Sequence, residues 1–206
     1  ANTTFNNFSQ TCTSGQTLSA PLAIATNVFI TGTFTVNPTS SNATYRSYIY
    51  STVVDTQATI SAGAVSLKNI DFYDIAATGA ATWSGTNLGD AGNNTGITFP
   101  AAKTVYWNLA GTQNWWATGW ASTSGGTPDA NNFPLCQDTA IINNAGSAGT
   151  INFSTYYMPN LDMSGRTTAM TINMNGATVG NVTFSSTANV EYGGTTNFLS
   201  WYNRGN

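Results

Sequence analysis

Apolar and polar residues alternate with a period of two along much of this 206-residue chain. The alternation is clearest in Asn27–Asn37 (NVFITGTFTVN) and in Tyr45–Val54 (YRSYIYSTVV). Strict alternation over a few residues is typical of a β-strand with one face buried. Each of these two stretches is therefore predicted to form a strand.

A longer stretch, Ala58–Ile75, reads ATISAGAVSLKNIDFYDI and carries the same alternation. Its phase changes at Lys68 and Asn69, so the apolar positions before and after these residues fall on different faces of a continuous strand. The change predicts two short strands separated by a tight bend, which suits one turn of a solenoid.

The last third of the chain contains a quasi-repeat of two apolar residues separated by one polar residue. The five apolar pairs are Ile151/Phe153, Leu161/Met163, Ile172/Met174, Val182/Phe184 and Val190/Tyr192. The first members of successive pairs are 10, 11, 10 and 8 residues apart. Such spacing is typical of a β-sandwich or jelly roll, and also of a solenoid. Asn or Thr recurs just before the pairs and can form hydrogen-bonded ladders at solenoid corners, which favours a parallel β-helix.

The composition also predicts an all-β protein. Hydrophobic residues make up 41% of the chain and charged residues 6%, while Thr, Asn, Ser and Gly supply the polarity. Thr and aromatic residues favour strands, and the good helix formers Glu, Lys and Arg are scarce. Two regions are expected, 1–100 with an extended arm or first strand at 1–16, and 101–206, which together can form one continuous domain.

Several partners and compartments are not expected. The net charge is −3, and the five basic residues are scattered, so no nucleic-acid footprint is predicted. No run of 18 apolar residues occurs, so no membrane partner is predicted. The start at Ala1 suggests processing or a fragment of a longer protein. Cys12 and Cys136 leave both a disulfide and two separate thiols open.

Few residues suit catalysis or cofactor binding. The chain has no histidine and no closely spaced cysteines, so no catalytic residue, metal or cofactor is predicted. Asp71, Asp74 and Asp90 are the candidates for a carboxylate pair that cleaves a polysaccharide, but solvated or turn-capping aspartates are preferred. Asp90, Asn93 and Asn94 offer oxygens to calcium, although an Asx-rich turn is the preferred interpretation.

The stretch KTVYWNLAGTQNWWATGW, residues 103–120, holds four of the six tryptophans. The candidate residues for a subunit interface or a glycan-binding face are Tyr106, Trp107, Trp115, Trp116 and Trp120. Adjacent residues on a strand face opposite ways, so Trp115 and Trp116 cannot share one core. Trp107 is expected in the core and one of that pair at an interface, with a subunit contact preferred to a sugar site.

Two segments of the chain resemble a known class of protein. They are LKNIDFYDIAATGAATWSGTNLGDAGNNTGITF and KTVYWNLAGTQNWWATGWASTSGGTPDANNFPLCQDTAI. Over Leu67–Ile142, and more weakly over Asn160–Ile172, the chain resembles segments of large repetitive virion structural proteins of tailed bacteriophages of aquatic bacteria. The Trp motif with the following NNFPL and QDTA carries most of the specificity.

The resemblance implies a non-enzymatic fibre, spike or capsid decoration located in the virion. Its partners would be identical subunits and other virion proteins, held through low-charge β surfaces. It implies no catalytic residues. The alternatives are a glycan-binding module that recognises a host surface through the Trp-rich stretch, and a carbohydrate-degrading tailspike fragment.

Overall fold

The computed structural model describes residues 2–12, 21–40, 42–146, 148–153, 157–173, 178–184, 190–193 and 197–202. Within these ranges, strands account for the regular structure apart from one 3₁₀ turn at Ala130–Asn132. The prediction of an all-β protein is confirmed. The chain forms two compact units, Ala1–Ala101 (unit 1) and Ala102–Asn206 (unit 2).

Unit 1 is built from one curled sheet of eight strands. The strands are β1 (Thr3–Phe5), β2 (Phe8–Cys12), β3 (Leu22–Ile24), β4 (Val28–Pro38), β5 (Ser47–Ser51), β6 (Ala58–Tyr73), β7 (Ile75–Gly79) and β8 (Thr86–Asp90). The path across the sheet is β1-β4-β6-β5-β3, with β2 on β4 and with β7 and β8 on β6. All these pairs are parallel.

The curl of the sheet is concentrated in β6. Its first part pairs with β4 and its last part with β5. Between them, Asn69 has a left-handed backbone with φ of 53°. The bend predicted at Lys68 and Asn69 is present, because a left-handed residue turns the strand and lets apolar side chains on both sides of it face one core. The prediction of two short strands is wrong, because β6 continues through the bend as one strand.

The core of unit 1 is apolar and continuous. Its buried members include Ile30, Phe34, Ile60, Phe72 and Trp83, from β4, from β6 and from the turn after β7. The ring centroids of Phe34 and Trp83 are 5.9 Å apart. Each fully buried side chain of this size contributes about 1.5–3 kcal/mol by leaving water, so the core is the main source of this unit's stability.

Unit 2 contains two separate sheets. The strands are β9 (Thr104–Trp107), β10 (Gly111–Asn114), β11 (Trp120–Ala121), β12 (Thr139–Ile141), β13 (Ala148–Asn152), β14 (Tyr157–Met158), β15 (Asn160–Met163), β16 (Met170–Asn173), β17 (Thr178–Phe184), β18 (Val190–Gly193) and β19 (Asn197–Tyr202). One sheet runs β11-β9-β12-β15-β17-β14 with β19 on β17, and the other runs β10-β13-β16-β18. The pairs are parallel, except that β11 is antiparallel to β9.

The quasi-repeat alternates between these two sheets. Ile151 pairs with Ile172 in the four-stranded sheet, and Leu161 pairs with Val182 in the seven-stranded sheet. In each of these pairings the intervening member of the repeat lies in the other sheet. The interval between successive members of the repeat is therefore about half of the sequence distance between paired strands. Met174 lies outside the described residues. The sandwich and jelly-roll alternative needs antiparallel neighbours, and the described pairs of unit 2 include one, β9 with β11.

The start of the chain belongs to the sheet of unit 1, because both β1 and β2 pair with β4. Cys12 is the last residue of β2, and its side chain lies outside the described part of the structure. Cys136 is half-buried. The two alternatives for these cysteines therefore stay open.

Candidate functional site

Three of the four tryptophans in the Trp-rich stretch lie in the core of unit 2. Trp107, Trp115 and Trp120 are each at most 1% exposed. Trp120 contacts the other two edge-to-face, with ring centroids 5.1 Å from Trp107 and 4.5 Å from Trp115. The indole Nε1 of Trp120 donates to Trp115 O at 3.2 Å. Because all three side chains are buried and their rings pack against one another, these residues stabilise the unit and offer no surface for a ligand.

Tyr106 and Trp116 are the two predicted interface residues that retain accessible surface, and both are half-buried. Tyr106 lies on β9 opposite Ala121 of β11. Trp116 follows the buried Trp115 in a turn beyond the end of β10. The five candidates are thus not assembled on one face. Three of the five aromatic residues predicted for a sugar-binding face are therefore buried and cannot stack on a sugar ring.

The segment that follows the Trp-rich stretch is fixed by a buried carboxylate. Asp138, which is 1% exposed, accepts hydrogen bonds from Lys103 N at 2.9 Å and from Leu135 N at 2.7 Å. Phe133 and Leu135 are buried beside it. The NNFPL and QDTA motifs therefore hold a loop against the strands. Sequence reasoning did not single out Asp138, although an aspartate between two apolar stretches was an available signal.

Asp71, a predicted catalytic alternative, is buried in an ion pair. Arg46 donates to both of its carboxylate oxygens, through Nε at 2.7 Å and through Nη2. The guanidinium also donates to the carbonyls of Ala43 at 3.4 Å and Asn87 at 3.1 Å. Both side chains are 1% exposed. The pair joins the turn before β5 to β6 and β8, and it leaves Asp71 no access to a substrate.

The close packing around this pair predicts a strong effect at Gly89, which pairs with Asp71 on β8. A Cβ at Gly89 would overlap Asp71 Oδ1 and lie 3.0 Å from Arg46 Nη2. We expect Gly89→Ala to lower the free energy of unfolding by about 1–3 kcal/mol, measured by urea denaturation.

The matched control is Gly149→Ala on β13, where the nearest atom to an added Cβ is Gly111 O at 4.0 Å. Alanine is better than glycine by about 0.5–1 kcal/mol in a strand interior, so this variant should be unchanged or slightly more stable. Equal losses at Gly89 and Gly149 would contradict the role assigned to the ion pair.

Asp74 belongs to a stack of corner residues. Asp55, Asp74 and Asn93 are spaced 19 residues apart and have φ of 59°, 57° and 50°. Asp55 N donates to Asp74 Oδ2 at 2.9 Å, and Asn93 Nδ2 donates to Asp74 Oδ1. Asn and Asp adopt the left-handed backbone more readily than other residues with a side chain. The three residues therefore form equivalent turns after β5, β6 and β8. Asp74 is fully buried in this structural role.

The calcium candidates are also used internally. Asp90 Oδ1 accepts from Gly92 N at 3.0 Å and from Asn94 Nδ2 at 2.7 Å. Asn94 Oδ1 accepts from Ile75 N at 3.0 Å. Across the described ranges, no group of three or more His, Cys, Asp or Glu side chains could hold a metal ion. The arrangement is the Asx-rich turn that the sequence favoured.

A second corner is formed by stacked asparagines. Asn69 and Asn87 both have φ of 53°. Asn87 Nδ2 donates to Asn69 Oδ1 at 2.9 Å, and Asn69 Nδ2 donates to Asn42 O at 2.8 Å. Asn69 is fully buried, so these bonds replace contacts with water.

Substitution of Asn69 should separate its two contributions. We expect Asn69→Ala to lower the free energy of unfolding by about 2–4 kcal/mol, because alanine disfavours the left-handed backbone and cannot bond Asn42 O or Asn87 Nδ2. Asn69→Gly should restore about 1–2 kcal/mol of this, since glycine adopts the left-handed region freely. Equal stabilities of the two variants in thermal and urea unfolding would contradict the backbone argument.

Arg166 fixes a turn of unit 2 in a similar way. The guanidinium donates to the carbonyls of Thr168 at 2.9 Å, Asn143 at 3.0 Å and Gly146 at 3.1 Å. Burial lowers the pKa of Arg166 below its usual value, because desolvation disfavours the charged form. The three carbonyls offset this cost, and the residue acts as a structural crosslink.

The N-terminal end of unit 1 comprises β1, β2, β3 and a cavity beside them. The cavity has a volume of about 260 Å³ and a mainly apolar lining. Its lining includes Phe5, Phe8, Leu22, Ile24, Phe34 and Ile60. Phe34 and Ile60 belong to the buried core, whereas Phe5 is 37% exposed. The cavity therefore joins the core of unit 1 to an exposed aromatic residue.

Among the described residues, no helix has the length and apolar character needed to cross a membrane. No family model matches the chain, and neither the curated proteins nor the solved structures provide a match.

Proposed function

We propose that this chain is a non-enzymatic structural component of a phage virion, such as a fibre, spike or capsid decoration. It works by assembling with identical subunits and other virion proteins. In this proposal its strands are wound as a parallel β-solenoid, which supplies rigidity. The proposal has three parts, the solenoid, the structural role and the place in a particle.

Register and corner chemistry support the solenoid. The pairings of Ile151 with Ile172 and of Leu161 with Val182 span equal lengths of sequence in the two sheets of unit 2. Successive equivalent positions also carry stacked asparagines, as in the donation from Asn173 Nδ2 to Asn152 Oδ1 at 3.3 Å. Regular spacing and side-chain ladders are the expected features of coils that bury one continuous core.

The fate of the buried charged groups carries the structural role. Arg46, Asp71, Asp74, Asp138 and Arg166 are all buried and bonded to protein groups. A glycosidase needs two carboxyl groups that flank a sugar, and Asp71 and Asp74 are fully buried. These groups stabilise turns and strand contacts. They support a role in which the chain acts through its rigidity and its surface contacts.

The place in a particle rests on the resemblance over Leu67–Ile142. In that region the distinctive motifs supply buried tryptophans and the hydrogen bonds from Lys103 N and Leu135 N to Asp138, which are structural elements. Immunogold labelling of intact phage particles with an antibody against this protein tests this part. Label found on particles would support it, and label confined to the medium would contradict it.

The assembly role is tested by light scattering and electron microscopy on the native protein. We expect discrete oligomers or regular lattice fragments, with masses that are multiples of 21.6 kDa. A monomer at all accessible concentrations would contradict self-assembly.

A further inference from the structure

We infer that the N-terminal end of unit 1 is the surface on which a second copy of this chain docks. The inference rests on the proposed assembly function and assigns that function to one surface. Three observations support it, namely the strand edges, the charge pattern and the apolar complementarity of this end.

Among the described strands, the three at this end are edge strands. Within the described residues, β1 and β2 pair with β4, and β3 pairs with β5, each through one edge. The opposite edge of each strand has no strand partner in the described part of the chain. Such an edge is a template for a strand from another chain.

The charge pattern does not oppose such pairing. Edge strands of monomeric proteins commonly carry charges that prevent association. Here no Lys, Arg, Asp or Glu precedes Arg46 in the sequence. The side chain of Arg46 is itself buried against Asp71. Two copies can therefore bring these ends together without like-charge repulsion between the three strands.

Apolar complementarity identifies the second copy as the partner. The exposed large hydrophobic residues of the described structure are Phe5, Val53 and Val54, with Val53 at 56% and Val54 at 71%. The valines project from a turn in which Thr52 N donates to Ile24 O at 3.0 Å. Ile24 also lines the cavity, so the projecting valines and the cavity are neighbours.

Adjacent projection and cavity allow a reciprocal contact. In a two-fold pair, the valines of each copy can enter the cavity of the other, and the apolar surface of Phe5 becomes covered. The turn is held by Ser51 Oγ, which is 3.2 Å from both Val53 N and Val53 O, so little ordering is needed on docking. Asp55 follows the valines and is exposed, which leaves it able to remain in water.

The test introduces a charge at each half of the proposed contact. Phe5→Lys places it at the cavity, Val54→Lys places it on the turn, and Thr82→Lys places it at an exposed position between β7 and β8 as a control. Sedimentation equilibrium of the full chain measures association, and circular dichroism melting checks folding. We expect Phe5→Lys and Val54→Lys each to weaken association about tenfold or more, with Thr82→Lys unchanged.

The outcomes separate this inference from the proposed function. If the native chain assembles and Phe5→Lys and Val54→Lys assemble equally well, the docking surface is wrong while the assembly function survives. If Thr82→Lys is equally disruptive, the assignment to this end is overturned. If the native chain is always monomeric, both proposals fail. In that case, a fluorescent apolar dye that binds the native chain but not Phe5→Lys would assign the cavity to a small apolar ligand.

Because Phe5 lines a cavity, its substitution could disturb the fold. Val54 is 71% exposed and its variant keeps the test independent of that effect. A folded Val54→Lys variant that associates as the native chain does would by itself overturn the reciprocal contact.

Discussion

Replacing Arg46 with methionine should lower the free energy of unfolding by about 3–5 kcal/mol. The substitution keeps an apolar stem of similar length but leaves the buried carboxylate of Asp71 without its partner. It also removes the donors to the carbonyls of Ala43 and Asn87. Urea denaturation followed by far-ultraviolet circular dichroism measures the loss.

The double variant Arg46→Met/Asp71→Asn tests the cause. It contains no buried charge at this position, so it should be more stable than Arg46→Met alone. Lys68→Met is the matched control, because Lys68 is a half-buried basic residue on β6 with no ion pair in the described structure. Its expected change is within about 0.5 kcal/mol. If the loss of stability in the double variant equals the sum of the losses in Arg46→Met and in Asp71→Asn, the coupling between these two side chains is contradicted.

The sequence was informative about strands because alternation is a local property. The pattern in Ala58–Ile75 predicted two short strands and a bend, and the left-handed Asn69 matches the bend, although β6 is one continuous strand. The quasi-repeat was visible as well. The interval between apolar pairs does not show whether a strand pairs with the next strand or with the next strand but one. The division of the repeat between two sheets could therefore not be predicted.

Long-range partners could not be predicted in the same way. Arg46 and Asp71 are 25 residues apart, and their contact depends on the register between β5 and β6. Asp74 and Asn93 resemble ordinary turn residues, because Asx residues favour all turns. Their stacking appears once the strands between them are aligned. Sequence reasoning therefore placed Asp74 and Asn93 in turns but missed what they contact. Its preferred interpretation of Asp71 as a solvated or turn-capping aspartate is wrong, because this residue is buried on β6.

The adjacent tryptophans show the limit of the alternation rule. The rule places neighbouring residues on opposite faces of a strand. However, β10 ends at Asn114, so Trp115 and Trp116 lie in a turn. There the backbone direction changes within two residues, and burial is decided by which side chain reaches Trp120 and Phe153.

Trp115→Ala should lower the free energy of unfolding by about 3–5 kcal/mol, whereas Trp116→Ala should cost about 1 kcal/mol or less. Trp115 is 1% exposed and packs with ring centroids 4.5 Å from Trp120 and 4.6 Å from Phe153. Its removal leaves a large cavity between two aromatic residues. Trp116 is half-buried, so truncation there removes less buried surface. Urea unfolding monitored by circular dichroism compares the two.

The pair also distinguishes the core from an interface, because the two variants have the same composition and differ by one position. If the described packing is right, Trp115→Ala loses stability at every protein concentration. If Trp116 contributes to a subunit contact, its variant changes the concentration dependence of association while the unfolding of the monomer is nearly unchanged. Equal losses of stability at both positions would contradict the burial difference, because a half-buried indole cannot leave as large a cavity as a fully buried one.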